Sequence, residues 1–288
     1  MENSASCPVG KARKLLLVTD GTEHSHGAIR EAIKFAKKCS SKLYAMAIAE
    51  VVTDSDAFLP RKIDDALLVE ITKHLDTLKT QITQEGLACD TILAQSGEPY
   101  KVIIERAASR GVDMIIIGRK GVRGLKKLFV SEVAAQVIGE APCNVLVVPK
   151  AAVMGPKTIL IATDGSGHSL AAAEEGVAIA KQCDSSSVIV LSSVRSYEEL
   201  EHAKANMNRV MEIAKKEGVT ATGLTPTGRS YNVIVETAGG MGVDLIVMGI
   251  PVKTAFQKVF SGSATEQVIG NAGCAVLIVK GDKTPASV

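Results

Sequence analysis

Two short stretches, Thr19-Asp20-Gly21-Thr22 and Thr163-Asp164-Gly165-Ser166, each place a carboxylate directly after an apolar run. A carboxylate at such a strand end can accept hydrogen bonds from an amine or a hydroxyl of a bound molecule. Asp-Gly is also ordinary turn chemistry, because Asp bonds its own backbone two residues on and Gly takes positive φ. The residues alone leave both roles open. His24 and His168 recur beside Ser25 and Ser169, at the start of the helix that follows. The serines read as helix caps, and the histidines have no partner at a spacing that would make them catalytic. A third segment carries different chemistry: Gly249 follows an apolar run, and Ser261-Gly262-Ser263-Ala264-Thr265 opens a helix. Unpaired N–H groups and the positive dipole end of a helix attract an anion. Glycine lets backbone come close, and the hydroxyls add donors. A capped helix after a flexible loop accounts for the same residues.

These residues recur because the chain is a repeat. Leu15–Cys39 pairs with Ile159–Cys183 at an offset of 144, and Gly97–Val148 with Gly228–Val279 at 131, with 22 of 52 positions identical in the second block. The loss of 13 residues between blocks falls near "VVTDSDAFLPRKIDDALL" against "VRSYEEL". Residues 149–157, "PKAAVMGPK", lack periodicity and read as the linker, dividing the chain into domains 1–150 and 151–288.

Within each copy, short apolar runs alternate with helical stretches. The runs are "LLLVT", "LYAMAIAEV", "TILA", "MIIIG" and "NVLVVP", then "ILIAT", "SVIVLSSV", "TGLTP", "LIVMG" and "AVLIVK". The first copy's helices are expected at Ser25–Cys39, about Ile63–Glu85, Tyr100–Ser109 and Ser131–Gly139. Apolar strands alternating with helices predict a parallel sheet covered on both faces. The fold class is α/β: two tandem, doubly wound, five-stranded parallel-sheet domains, with ligands expected beyond the strands' carboxyl ends.

Composition narrows the function classes. The net charge is +2, +3 in the first half and −1 in the second, so no basic face for nucleic acid is expected. No apolar run reaches the roughly 18 residues of a membrane span, and the N-terminus has no apolar secretory core. The six cysteines show no CxxC pair and no zinc-like spacing with the five histidines. A cytoplasmic chain with reduced thiols and no bound metal of its own is the expectation.

The quoted motifs resemble the universal stress protein family, once per copy. Nucleotide-binding members of that family carry Gly-x-x-Gly, nine residues, then Gly-Ser or Gly-Thr. The first copy reads Gly118-x-x-Gly121, nine residues, then Ser131-Glu132; the second reads Gly249-x-x-Val252, nine residues, then Gly262-Ser263. The family's acid after the first strand matches Asp20 and Asp164. The resemblance implies an adenine-nucleotide alpha-hydrolase-like fold whose last strands pair within one chain as a pseudo-dimer, with a further homodimer as an option. It implies ATP or AMP, with or without Mg; no acid–base constellation can be named in the sequence, so no enzymatic role is expected beyond weak ATP hydrolysis at most. In the second domain the base and ribose would meet Ala162, Thr163, Asp164 and Ser193. The phosphates would meet Met248, Gly249, Gly262, Ser263 and Ala264.

The first-domain counterpart is Asp20, Gly118 and Gly121. There Glu132 is expected to face the phosphates and repel them, while Arg119 and Lys120 read as part of a solvated basic loop. In the second domain Val252 adds only bulk, so the second domain is the better candidate. An interaction scaffold that binds a protein or a small apolar ligand is the alternative, since both motifs are incomplete. A nucleotidyl transferase would show a His-x-Gly-His element, which neither "DGTEHSHG" nor "DGSGHSL" matches.

Overall fold

The computed structural model describes residues 12–51, 65–119, 131–155, 157–183, 187–251 and 263–281. Gly121, Val252 and Gly262, with Lys120 and the rest of both glycine-motif loops, lie outside these residues.

The first half runs β1 (Lys14–Val18), α1 (His26–Cys39), β2 (Lys42–Glu50), α2 (Asp65–Gln84), β3 (Cys89–Ser96), α3 (Pro99–Arg110), β4 (Met114–Gly118), α4 (Glu132–Glu140) and β5 (Asn144–Val148). The second runs β6 (Thr158–Ala162), α5 (Gly167–Gln182), β7 (Ser187–Leu191), α6 (Leu200–Lys216), β8 (Ala221–Leu224), α7 (Ser230–Gly240), β9 (Leu245–Pro251), α8 (Ala264–Asn271) and β10 (Ala275–Gly281). The strands fall on the runs expected from the sequence because a strand covered on both faces has no polar side to show. Leu15 and Leu17 of β1 bury toward α1 and α2, whereas Leu16 buries toward α3 and α4.

The strands form a single ten-stranded sheet in the order β3-β2-β1-β4-β5-β10-β9-β6-β7-β8. Each half is parallel and doubly wound, and the halves meet where β5 and β10 pair antiparallel. At that seam Val145, Leu146 and Val147 lie opposite Ile278, Leu277 and Val276, and all six are essentially buried. Each such side chain contributes about 1.5–3 kcal/mol by leaving water, and the pairing covers two strand edges that would otherwise be open. The expected intramolecular pseudo-dimer is thus the observed architecture.

Two cations tie the halves together across this seam. Arg119 donates from Nη1 to Ile269 O at 2.9 Å and to Ala272 O at 2.5 Å, capping the C-terminus of α8. Lys280 donates from Nζ to Gly139 O at 2.7 Å, capping the C-terminus of α4. A cation at a helix C-terminus meets both free carbonyls and the negative dipole end. Arg119 therefore does not belong to a solvated loop, because the other half supplies its acceptors. The segment expected as the linker is packed against the first half: Ala152 and Met154 are buried, and the Arg30 guanidinium donates to Ala152 O.

Cys39 is disulfide-bonded, so the expectation of reduced thiols fails there; Cys89, Cys143, Cys183 and Cys274 are free. Burial pushes the Cys143 thiol up to about 12 and the Cys274 thiol to about 11, so both stay protonated and unreactive near neutrality. Among the described residues no helix is long and apolar enough to cross a membrane.

Candidate functional site

In each half the strand order reverses between the first and fourth strands, β1 and β4 or β6 and β9. Connections leave to opposite faces there, which opens a crevice at the carboxyl ends of the strands.

The Asp-Gly turn lies in that crevice. Asp164 Oδ1 accepts from Ser166 N at 3.0 Å and from the Ser166 hydroxyl, closing a turn over Gly165 at φ +80°. A side chain on Gly165 would be strained by that φ, and its Cβ would lie 2.1 Å from Asn206 Oδ1. Asn206 of α6 in turn donates to Asp164 O at 3.0 Å. Burial pushes the Asp164 carboxyl up, but hydrogen bonds from Ser166 and Ser169 and the neighbouring His168 together outweigh it and hold the group below its ordinary value, ionised at neutral pH. In the first half Asp20 Oδ1 accepts from Thr22 N at 3.0 Å, and His74 of α2 takes the place of Asn206, its Nε2 lying 3.1 Å from Thr19 Oγ1. Turn former and cleft carboxylate are therefore one role, since both aspartates also line their clefts.

The serines do not cap as expected. Ser25 makes no cap bond; its hydroxyl donates to Asp20 Oδ1 at 2.7 Å, and a 3-10 turn capped by Thr22 precedes α1. In the second half Ser166 caps α5, and the buried Ser169 bonds Thr163 Oγ1 at 3.1 Å.

Gly118 and Gly249 line the crevices, but packing requires them first. A Cβ on Gly249 would lie 1.9 Å from His168 O, and one on Gly118 would lie 2.4 Å from His24 O. The end of the fourth strand and the start of the first helix of the same half approach too closely for any side chain. His24 and His168 supply those carbonyls and also line the clefts.

The last helices differ by one residue at their openings. Ser263 caps α8 by accepting from Glu266 N at 3.1 Å, while Ser131 caps α4 by accepting from Ala134 N at 3.2 Å. Ala141 and Ala272 end the two helices alike, so α4 begins one residue earlier relative to its end. This moves Glu132 to the first position of α4, exposed, where an acid suits the positive dipole end. Glu132 is not among the described residues lining the first cleft, although Ser131 and Val133 on either side of it are. The second carboxylate of that cleft is Glu50, at the end of β2.

The second cleft has a volume of about 330 Å³, within the usual range for ligand sites, and the first about 210 Å³. Ala162, Thr163, Asp164 and Ser193 line the second cleft on one side. Met248, Gly249, Ser263 and Ala264 line it on the other. Thr265, read from the sequence as a hydroxyl donor, lines it as well, whereas sequence reasoning missed Ser230 at the start of α7, and Gly139, which reaches the cleft from the other half. Ser230 was recoverable from the repeat, because its counterpart, Pro99, lines the first cleft. Gly139 was not, because nothing local in sequence brings α4 to β9. Among the described residues no group of three or more His, Cys, Asp or Glu side chains is placed to hold a metal ion.

Fold and cleft together define a doubly wound α/β protein with one crevice per half at the carboxyl ends of its strands. The chain belongs to the universal stress protein family, whose profile matches it twice, at residues 11–149 and 155–280. It is 30% identical over 145 residues to universal stress protein YxiE of Bacillus subtilis, covering 47% of this chain and 97% of that protein. It is 36% identical over 143 residues to universal stress protein MJ0531 of Methanocaldococcus jannaschii, covering 48% of this chain and 82% of that one. A crystal structure of a universal stress protein from Archaeoglobus fulgidus matches across both halves, with a TM-score of 0.76 at 19% identity, covering 93% of this chain and 98% of that chain.

Proposed function

We propose that the chain is a cytosolic adenine-nucleotide-binding protein that holds ATP or AMP in its second cleft and performs no catalysis. The observation that carries this reading is the anion-receptive end of the cleft. There the N-terminus of α8 opens into a space of about 330 Å³ beside the hydroxyl-bearing residues Ser263 and Thr265, with Asp164 across the crevice as the one carboxylate among the described lining residues. A capping serine accepts through its oxygen and keeps its own proton to donate. The phosphates would lie at α8 and Gly249, where amide and hydroxyl donors face negative charge. Any Mg would be held chiefly by the phosphates themselves. The first half serves as the structural partner, since Asp20 and Glu50 both face its smaller cleft.

Isothermal titration calorimetry of the full chain with AMP, and with ATP with and without Mg, tests the proposal. Saturable binding that weakens about fivefold in Thr265→Val, through the loss of one net hydrogen bond, is the expected result. No heat at millimolar nucleotide overturns it and favours the scaffold alternative.

A further inference from the structure

The second cleft holds a polar element that the first lacks. Ser193, two residues past β7, and Ser230, the first residue of α7, both line it, and Ser193 Oγ donates to Ser230 Oγ at 2.7 Å. Around them the lining is apolar, with Leu191, Ile234 and Met248. The register of β1 with β2 and of β6 with β7 makes Ile48 the counterpart of Ser193, and the starts of α3 and α7 make Pro99 the counterpart of Ser230. Both members of the pair change together between the halves. Helix chemistry does not demand the change: Glu98 and Arg229 hold the N-cap positions without a side-chain cap bond, and proline at the first helical position, as in α3, is an option rather than a requirement.

The position of the pair says what it can meet. Helix α8 follows β9, the Asp164 turn follows β6, and Ser193, with Ser230 bonded to it, lies just beyond β7, so that the three stand on consecutive strands of the sheet. A ligand anchored by its anion at α8 runs past Asp164 and brings its far end to the two hydroxyls. We propose that this hydroxyl pair reads the polar edge of the purine, and that it accepts a 6-amino or a 6-oxo ring with comparable affinity. The proposal rests on the nucleotide reading above.

The chemistry follows from what a hydroxyl can do. With Ser193 donating to Ser230, the Ser230 proton is left to bond a ring carbonyl. With the direction reversed, the Ser230 oxygen keeps a lone pair for a ring amine. Each hydroxyl stays partnered in either state, and the exchange needs only two rotations about C–O bonds. A carboxylate would fix the polarity of the edge it accepts, whereas this pair does not. In the first cleft Ile48 and Pro99 offer no such partner, so a polar ring edge there would lose its bonds to water without replacement.

The test is calorimetry of the full chain with AMP, IMP and purine riboside monophosphate, whose ring carries no 6-substituent. Expected are affinities for AMP and IMP within about threefold of each other, and the unsubstituted ring weaker by about fivefold to tenfold, the size of one net hydrogen bond. Ser193→Ile with Ser230→Pro, which installs the first half's residues, brings AMP and IMP down to the unsubstituted ring. Ser193→Ala with Ser230→Ala does the same with less change of shape, and circular dichroism reports whether each variant folds. Preference for AMP over IMP beyond about tenfold, or unchanged affinities in the folded alanine pair, overturns this inference and leaves nucleotide binding standing. Failure of every nucleotide to bind the unaltered chain overturns the nucleotide reading and this inference with it.

Discussion

In the first cleft Asp20 and Glu50 face a space of about 210 Å³, while in the second Asp164 stands as the one carboxylate along about 330 Å³ of described lining. The residue in the second half that corresponds to Glu50 is Arg195, by the same strand register that relates Ile48 to Ser193. What the two halves share is what the backbone needs: the Asp-Gly turn, the glycine at the end of the fourth strand, and a serine-capped last helix. What they do not share is what a ligand would feel, namely charge at the rim, polarity at the base end and volume. Duplication preserved the frame, and divergence acted on the lining.

The frame predicts the largest effect. Gly249→Ala would put a methyl group 1.9 Å from His168 O, and Gly118→Ala would put one 2.4 Å from His24 O. Both contacts are with backbone, which cannot rotate away, and overpacking of this kind costs about 3 kcal/mol or more. Chemical denaturation should show Gly249→Ala as the more damaging, with Gly118→Ala somewhat milder. If Gly249→Ala kept full stability and lost only ligand, the glycine would belong to the site rather than the frame, and the division drawn between the two would fail.

A second prediction concerns the seam, where the halves use different cations for one task. Arg119 holds its charge at any accessible pH, but burial pushes the Lys280 ammonium down to about 8. Its ordinary value is 10.5, so between those values the unfolded chain binds the proton and the folded chain does not. Stability therefore rises with pH across that window, by at most about 1.4 kcal/mol per pH unit, and is flat with respect to this group below it. The amine still donates to Gly139 O when neutral, so the cap survives deprotonation. Denaturation midpoints should climb between pH 8 and 10 in the unaltered chain and lose that climb in Lys280→Met. An identical slope in both would assign the titration elsewhere.

While the joining of the halves through "NVLVVP" and "AVLIVK" came from the family resemblance, the sequence itself disclosed the repeat and every described strand, because these depend on local apolar runs and on self-similarity. It placed Asp20 and Asp164 in the clefts for the same reason. It did not show that α4 begins one residue earlier than α8 relative to its end, with Glu132 inside the helix, because a one-residue shift of a cap is below what periodicity resolves. Arg119 and Gly139 were out of reach because their partners lie in the opposite half. The close approach at Gly249 was hidden too, since a motif glycine looks the same whether a ligand or a carbonyl lies against it.

The smallest expected effect bears most directly on the difference between the clefts. Glu50 is exposed at the end of β2, so its field is screened and its influence on a nearby anion is worth about 1 kcal/mol, or roughly fivefold in affinity. Glu50→Arg installs the second half's residue in the first cleft without altering the turn, the glycine or the helix cap. If charge at the rim is what separates the two clefts, calorimetry with AMP should then show a second, weaker site, and salt should suppress it, because an exposed ion pair is screened. If stoichiometry stays unchanged, volume and the apolar pair Ile48 and Pro99 keep the first cleft closed to nucleotide, and combining Glu50→Arg with Ile48→Ser and Pro99→Ser becomes the stricter trial. Because all three positions lie on the lining and none on the frame, failure of the triple exchange in a folded protein would mean that the first cleft's narrower walls, rather than its chemistry, set it apart.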